Sequence, residues 1–482
     1  MLCWDDLTTL GTHPCGGSNR TDPGRADAMS ELVVIDPSSG DEVGRLPSSD
    51  ADRLVETARA AHSGWARAGA GDRAAALKAG ARLLRSEVDD LALLQSREGG
   101  KPVGDSRGGV EAGIDALEQY AELGPLHRGR ALQGAWDASD AMIRVPRGVA
   151  ALCLPWNDPV AIACAQIAAN LVVGNTGICK PSEKTPLATA EVIRLLNQDL
   201  PEGVLQLAAG SGDLGAALAG HPGVDVVVHV GSVITGRSVA SACAARGAKA
   251  VLELGGKDPM IVDAGVDPAW AAGQAAMGCF ANAGQICTSV ERVYVHATVA
   301  EAFVDELVSR AKALRVGPAT EPTTDMGPMI DAGQRAVVDR HVREAVQAGA
   351  ALRCGGSPLE GAGSYYPPTV LTGVRPGMAV VEEETFGPVA AVQVVESFDE
   401  ALALAEGTPY GLAAVVLTPD MAHAQRAVRE LSVGTVKVNA AFGGAPGGAA
   451  TPHGASGDGF GYGPELLDEL TRMRVIHVEP AP

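Results

Sequence analysis

At 482 residues, with a formal charge of −20 and only 4% aromatic residues, the chain is long enough for two or three domains. Its acidic excess argues against a nucleic-acid or anionic-membrane surface. Nine cysteines, an odd number with no CxxC pair, exclude a disulfide framework or a zinc ribbon. No metal site is expected, and reduced thiols fit a cytoplasmic protein. The N-terminus lacks a basic region followed by an apolar run, so no secretory signal is expected.

Residues 1–28 carry little hydrophobic pattern and read as a flexible extension. Glu31–Ile35 and the turn Pro37–Gly40 predict a strand and its reversal. A helix is predicted from Asp50, with Leu54, Ala58, Ala61 and Trp65 on one face. Asp72 is expected to cap the next helix, whose face is Leu77, Leu84, Val88 and Leu91 and which ends at Gly99–Pro102. A third helix is predicted from about Gly108 to Leu123, and a hairpin over Leu132–Val145. The apolar run Pro159–Val173, interrupted by Gln166 and Asn170, is too short to span a bilayer and reads as a buried helix.

From Gly148 to Gly256 strands and helices alternate, with strands expected at Ala150–Pro155, Gly177–Lys180, Val204–Ala208, Val226–Gly231 and Ala250–Leu254. Such alternation implies βαβ units and a parallel sheet. A second α/β series follows, with strands at Met260–Val262, Arg292–His296, Val389–Val395 and Thr435–Asn439. Its helices are expected at 267–283, 298–314, 330–349, 398–406 and 419–431. Ala440–Gly463 is dense in Gly and Ala and reads as loop; Arg472–Val478 is the last predicted strand.

Several short motifs sit at the ends of these elements, each with a functional and an ordinary reading. Cys287 follows Gly284 between a helix and a strand; it is a nucleophile or a small buried apolar residue. Gly210–Gly215 fits GxGxxG, but no acidic residue follows at the right distance, so a tight turn is favoured. Gly231–Ser232 ends an apolar strand before a helix, where free N–H groups could hold a pyrophosphate or form a simple turn. Asn157, after Pro155 and Trp156, either aims its amide at a bound oxygen or caps the next helix. Lys180 to Glu183 either hold ribose hydroxyls or form a solvated turn. Glu253 ends an apolar strand, a setting that raises a carboxyl pKa as a general base requires.

Taken together, Pro155-Trp-Asn157, Lys180-Pro-Ser-Glu183, Gly231-Ser232, Glu253-Leu-Gly-Gly-Lys257, Gly284-Gln-Ile-Cys287 and Glu384-Thr-Phe-Gly-Pro388 resemble the aldehyde dehydrogenase superfamily in order and spacing. The resemblance runs from about residue 31 to the C-terminus. It implies an α/β fold with a Rossmann-like NAD domain over 29–127 and 147–255 and an α/β catalytic domain over 256–450. Residues 128–146 and 451–482 would form a β oligomerisation arm and C-terminal tail, and a homodimer or homotetramer is expected.

The implied activity is oxidation of an aldehyde to a carboxylic acid, with NAD as cofactor and NADP as a second option. Cys287 would form a thiohemiacetal and then a thioester, Asn157 would hold the oxyanion, and Glu253 would activate water. By the same resemblance Pro155, Trp156, Lys180, Ser182, Glu183, Gly231, Ser232, Leu254, Glu384 and Phe386 contact the cofactor. Asp158, Ile162, Ala165, Ile286 and Thr288 would line the substrate pocket. A CoA-acylating relative and a non-catalytic NAD-binding or scaffold protein are the alternatives; Glu253 argues against the first.

Departures from the family pattern cluster near this pocket. Asp158 stands where an aromatic is usual, Ala165 where Trp is frequent, and Gln166 where Lys is common. An Asp158 facing the substrate would disfavour anionic semialdehydes, and Ala165 would widen the pocket. Near the C-terminus the family's Gly-Gly-x-Lys-x-Ser-Gly signature is reduced to Gly454–Gly459, and Lys437 replaces a common strand Trp.

Overall fold

The alternation of apolar side chains along Val149–Leu154 divides them between two cores. Ala150, Leu152 and Leu154 belong to one, and Val149, Ala151 and Cys153 to the other. A strand apolar on both faces must be covered by helices on both. The computed structural model, which describes residues 31–444 and 448–481, shows that arrangement; the expected extension over residues 1–28 lies outside the described residues.

Five parallel strands form the first sheet, in the order Lys249–Leu254, Val226–Gly231, Val149–Cys153, Thr176–Lys180 and Leu205–Leu207. Gly457–Asp458 adds an antiparallel edge, with Gly457 opposite Glu253. The helix Pro159–Val172 is buried over nearly its whole length, which accounts for its continuous apolar sequence.

The second sheet has seven strands, in the order Ala351–Cys354, Thr369–Thr372, Val389–Val395, Val290–His296, Asp258–Val262, Ala413–Leu417 and Thr435–Val438. It too separates two cores: Met260, Val262, Val415 and Leu417 face one side, Ile261, Ala414 and Val416 the other. A third sheet pairs Ser139–Pro146 with Arg130–Leu132 and with the C-terminal strand Thr471–Val478. Among the described residues no helix is long and apolar enough to cross a membrane.

Several expectations need correction. Asp72 does not cap its helix: Ala70–Ser86 begins after Gly69, without a side-chain cap, and Asp72 lies in its first turn. The helix predicted to continue to Gly99 breaks at Glu87, and Val88–Gly99 is a separate helix. The next helix starts at Val103 rather than near Gly108, directly after Pro102, which has no N–H to leave unpaired. Ala351–Cys354, Thr369–Thr372 and Ala413–Leu417 are strands that the pattern reading did not assign. The described residues of the glycine-rich segment 440–463 are loop apart from two two-residue strands.

Candidate active site

The chain crosses from the first sheet to the second at Gly255–Lys257, between Leu254 and Asp258. A cavity of about 520 Å³ opens at this crossing and along the C-terminal strand ends of the first sheet, where open parallel sheets present their ligand clefts. Cys153–Asn157, Lys180–Lys184, Val230–Ser232 and Glu253–Gly255 all contribute lining residues there. Gly212 and Gly215 of the helix Gly212–Gly220 form part of the wall, so the Gly210–Gly215 turn serves the cleft as well as reversing the chain.

The backbone brings Cys287 into the lining of this cavity. The helix Pro268–Phe280 stops, and Asn282, Ala283 and Gly284 then take left-handed φ values of 49°, 55° and 70°. Only glycine fits at 284, because a Cβ there would lie 2.1 Å from the Gly387 carbonyl oxygen. The two non-glycine residues store backbone strain, which buried amides offset. Gln285 Nε2 donates to the carbonyls of Asn282 and Pro328, at 3.1 and 3.3 Å, and its Oε1 accepts from Ile330 N–H at 2.8 Å. Asn282 Nδ2 donates to the Asn157 carbonyl at 3.3 Å, tying the cysteine loop to the other sheet. Ile286, Cys287 and Thr288 are half-buried.

Asn157 does not cap the following helix: Asp158 holds the N-cap position, and its side chain makes no capping bond either. The Asn157 amide makes no hydrogen bond among the described residues and lines the cavity with Cys287 and Glu253. Glu253 packs against the C-terminal loop, where a Cβ on Gly461 would lie 2.3 Å from Glu253 Oε2. Leu254 N–H donates to the Ser456 carbonyl at 2.8 Å. The reduced glycine signature therefore forms the sheet edge that walls this carboxylate.

A buried ion pair fixes the opposite wall. Lys257 Nζ lies 2.5 Å from Glu291 Oε2, and Glu291 accepts from Thr385 and Phe386 N–H at 2.7 and 2.8 Å. Phe386 is held at φ 48°, with its ring edge-on to Trp156 at 5.2 Å between centroids. Glu384 Oε1 accepts from Gly256 N–H at 3.1 Å.

Electrostatics follow from burial and crowded carboxylates. Burial pushes the Glu253 carboxyl up to about 7. Burial and neighbouring Glu291 push Glu384 up to about 8. Burial, then Glu253, Asp258 and Glu384, push the Cys287 thiol well above its ordinary value, and Lys437 opposes them.

The cavity thus joins a cysteine, a free amide and a proton-accepting carboxyl to a long cleft over strand ends. The sequence matches the aldehyde dehydrogenase family over residues 25–476. The chain belongs to the aldehyde dehydrogenase family. It is an oxidoreductase acting on aldehydes. A 3,6-anhydro-L-galactose dehydrogenase, solved in complex with NADP, is 34% identical with a TM-score of 0.91, covering 94% of this chain and 97% of that one. Lactaldehyde dehydrogenase from Escherichia coli is 31% identical at TM-score 0.91, covering 94% and 97%. Betaine aldehyde dehydrogenase from Staphylococcus aureus, solved with NAD+, is 29% identical at TM-score 0.91, covering 94% and 92%.

In this aldehyde dehydrogenase the expected site residues separate into two groups. Pro155, Trp156, Asn157, Ile162, Lys180, Ser182 and Glu183 line the cavity from the first half of the sheet. Gly231, Ser232, Glu253, Leu254, Cys287, Glu384 and Phe386 line it from the rest. Four expected pocket residues, Asp158, Ala165, Ile286 and Thr288, are not among its lining. The Asp158 carboxylate pairs with Lys101, 2.9 Å from its Nζ. Ala165 is buried in the core at 6% exposure. Sequence reasoning missed Gln334 and Val337 of the helix Ala332–Gln347 and His229, whose ring nitrogens are buried without partners. The His229 signal was a polar residue within the otherwise apolar strand 226–230.

Proposed function

We propose that the enzyme oxidises an aldehyde to a carboxylic acid through a thioester on Cys287, with NAD as the cofactor. The observation that carries this reading is the convergence of Cys287, Asn157 and Glu253 on one cavity continuous with the nucleotide-sized cleft.

The cleft fits a dinucleotide. Ser232 caps the helix Val233–Ala245, its Oγ 3.3 Å from Thr235 N, leaving a helix N-terminus for the pyrophosphate beside Gly231. Lys180, with Nζ 3.6 Å from Glu183 Oε2, would hold the adenosine ribose hydroxyls with Glu183 and Ser182. The Glu183 carboxylate accepts from a 2′-hydroxyl and repels a 2′-phosphate, favouring NAD over NADP. Glu384 would take the nicotinamide ribose, with Phe386, Trp156, Pro155 and Leu254 packing around it. When bound, the nicotinamide supplies the hydride acceptor.

The chain's own groups do the remaining work. The Cys287 thiolate adds to the aldehyde carbon, and the carbonyl oxygen becomes an oxyanion held by the Asn157 amide and the Cys287 N–H. Loss of hydride from that carbon leaves a thioester. Glu253 then takes a proton from water, whose oxygen attacks the thioester; the carboxylic acid leaves and the sulfur is regenerated. Ile162 lines the cavity; Ile286 and Thr288 flank the sulfur and would bound the substrate end. Asp158 and Ala165 would shape it from behind.

The domain assignment 29–127 with 147–255, then 256–450, is supported by the two sheets, although Gly457–Asp458 of the tail joins the first sheet. Residues 128–146 and the final strand would form an arm in a homodimer or homotetramer. Seven described cysteines are free, which fits a reducing, cytoplasmic setting. The test is NADH formation with a panel of aldehydes by wild type and Cys287→Ala. The substitution is expected to lower kcat by on the order of 10³ or more; turnover surviving it would overturn the reading.

A further inference from the structure

Glu253, from the strand Lys249–Leu254, and Glu384, from the segment before Val389, line the cavity with Cys287, and their charges act on its sulfur together with that of Asp258, the first residue of Asp258–Val262. Each opposes ionisation of the thiol. The Lys437 ammonium acts on the sulfur in the opposite sense. On the Glu253 side, Gln166 is neutral, and its Nε2 lies 3.4 Å from the Gly461 carbonyl.

The position of Lys437 follows from strand register. Met260, Val415 and Lys437 are aligned across three parallel strands, so their side chains leave the same face of the sheet. Met260 and Val415 lie in the core that also holds Ala271, Ala275 and Cys279 of the helix leading to the cysteine loop. Asp258, two residues before Met260, shares that face. A Cβ on Gly256 would lie 2.7 Å from Asp258 Oδ1 and 3.0 Å from the Cys287 carbonyl oxygen, so Asp258 and the nucleophile flank one glycine. Asp258 Oδ1 accepts from Ala413 N–H at 3.1 Å, while its Oδ2 is buried without a hydrogen-bond partner.

Lys437 is half-buried, and its ammonium lies over the Phe442 ring, 5.2 Å from Nζ to the centroid. Among the described residues no carboxylate lies within ion-pair distance of Lys437, and a partly buried cation without such a partner is costly. Burial lowers its proton affinity, while Asp258 and Cys287 raise it.

We propose that Lys437 is a positioning residue for Cys287: its ammonium, held on the sheet face that it shares with Asp258, is the counter-charge that offsets the three carboxylates and keeps part of the sulfur ionised. This rests on Cys287 as the nucleophile. The interaction acts through a partly buried space, where screening by salt is weak.

The test is the pH dependence of Cys287 alkylation by iodoacetamide in the full-length protein, without aldehyde, read on the Cys287 peptide by mass spectrometry. Lys437→Met is expected to raise the alkylation midpoint by about one pH unit, making labelling about tenfold slower below both midpoints. Lys437→Arg keeps the charge and is expected to hold the midpoint within a few tenths. An unmoved midpoint in Lys437→Met, or an equal shift in Lys437→Arg, would overturn the proposal. Should Lys437→Met fail to fold, Asp258→Asn reads the same cluster in reverse: it keeps an oxygen for Ala413 and is expected to lower the midpoint, and no movement would refute the charge balance. Alkylation reports the sulfur itself, so turnover persisting in Cys287→Ala would remove the nucleophile assignment without altering the measured shift.

Discussion

Glu253 is poised for the proton it must take. With its carboxyl pushed up to about 7 by burial, it is a stronger base than an exposed glutamate and is still half ionised near neutrality. The base form is required, so thioester hydrolysis is expected to fall about tenfold per pH unit below that value. Glu253→Gln is expected to release one equivalent of NADH rapidly and then turn over slowly, seen by stopped-flow absorbance; undiminished steady turnover would refute the assignment. Cys287, Asn157 and Glu253 were legible in the sequence through the order and spacing of the motifs that carry them, and Glu253 also as an acid at the end of an apolar strand. Gln285 and Asn282 were not: their role depends on left-handed backbone that no residue pattern announces at a non-glycine position. The pairing of Asp158 with Lys101 was not legible, because the two are distant in sequence.

At the scale of elements, the site depends on where strands stop. The first sheet was readable because each strand is a short apolar run followed by a helix. Ala413–Leu417 carried the same signal, five buried apolar residues between Gly411 and Pro419, but lay within a longer apolar and alanine-rich context that blurred its bounds. Ala351–Cys354 and Thr369–Thr372 are four-residue strands near the sheet edge, too short to show a period. The turn carrying Glu384 and Phe386 depends on Glu291, which joins Lys257 to two backbone N–H groups. Glu291→Ala strands a buried ammonium and both donors. It is expected to cost about 3–5 kcal/mol in denaturant melts and to raise the KM for NAD. A stability change below about 1 kcal/mol would show that the pair does not hold the turn.

For the whole molecule, the chain crosses between its two sheets next to the nucleophile, so a base from one sheet and a cysteine from the other meet across the crossing. The three-stranded arm exposes Leu132, Ile143, Val475 and Val478, and Trp136 fully. Such an apolar, edge-bearing sheet needs a partner. Sedimentation is expected to give two or four chain masses for wild type and a shift towards the monomer for Val475→Asp; a monomeric wild type would remove the arm's assigned role. The central claim is that aldehyde carbon becomes bonded to Cys287. Acid-quenched mass spectrometry of Glu253→Gln, mixed with NAD and an accepted aldehyde, tests it most directly. The account predicts an acyl mass on the Cys287 peptide, appearing with the NADH burst and absent in Cys287→Ala. A full NADH burst with no adduct at Cys287 would contradict it.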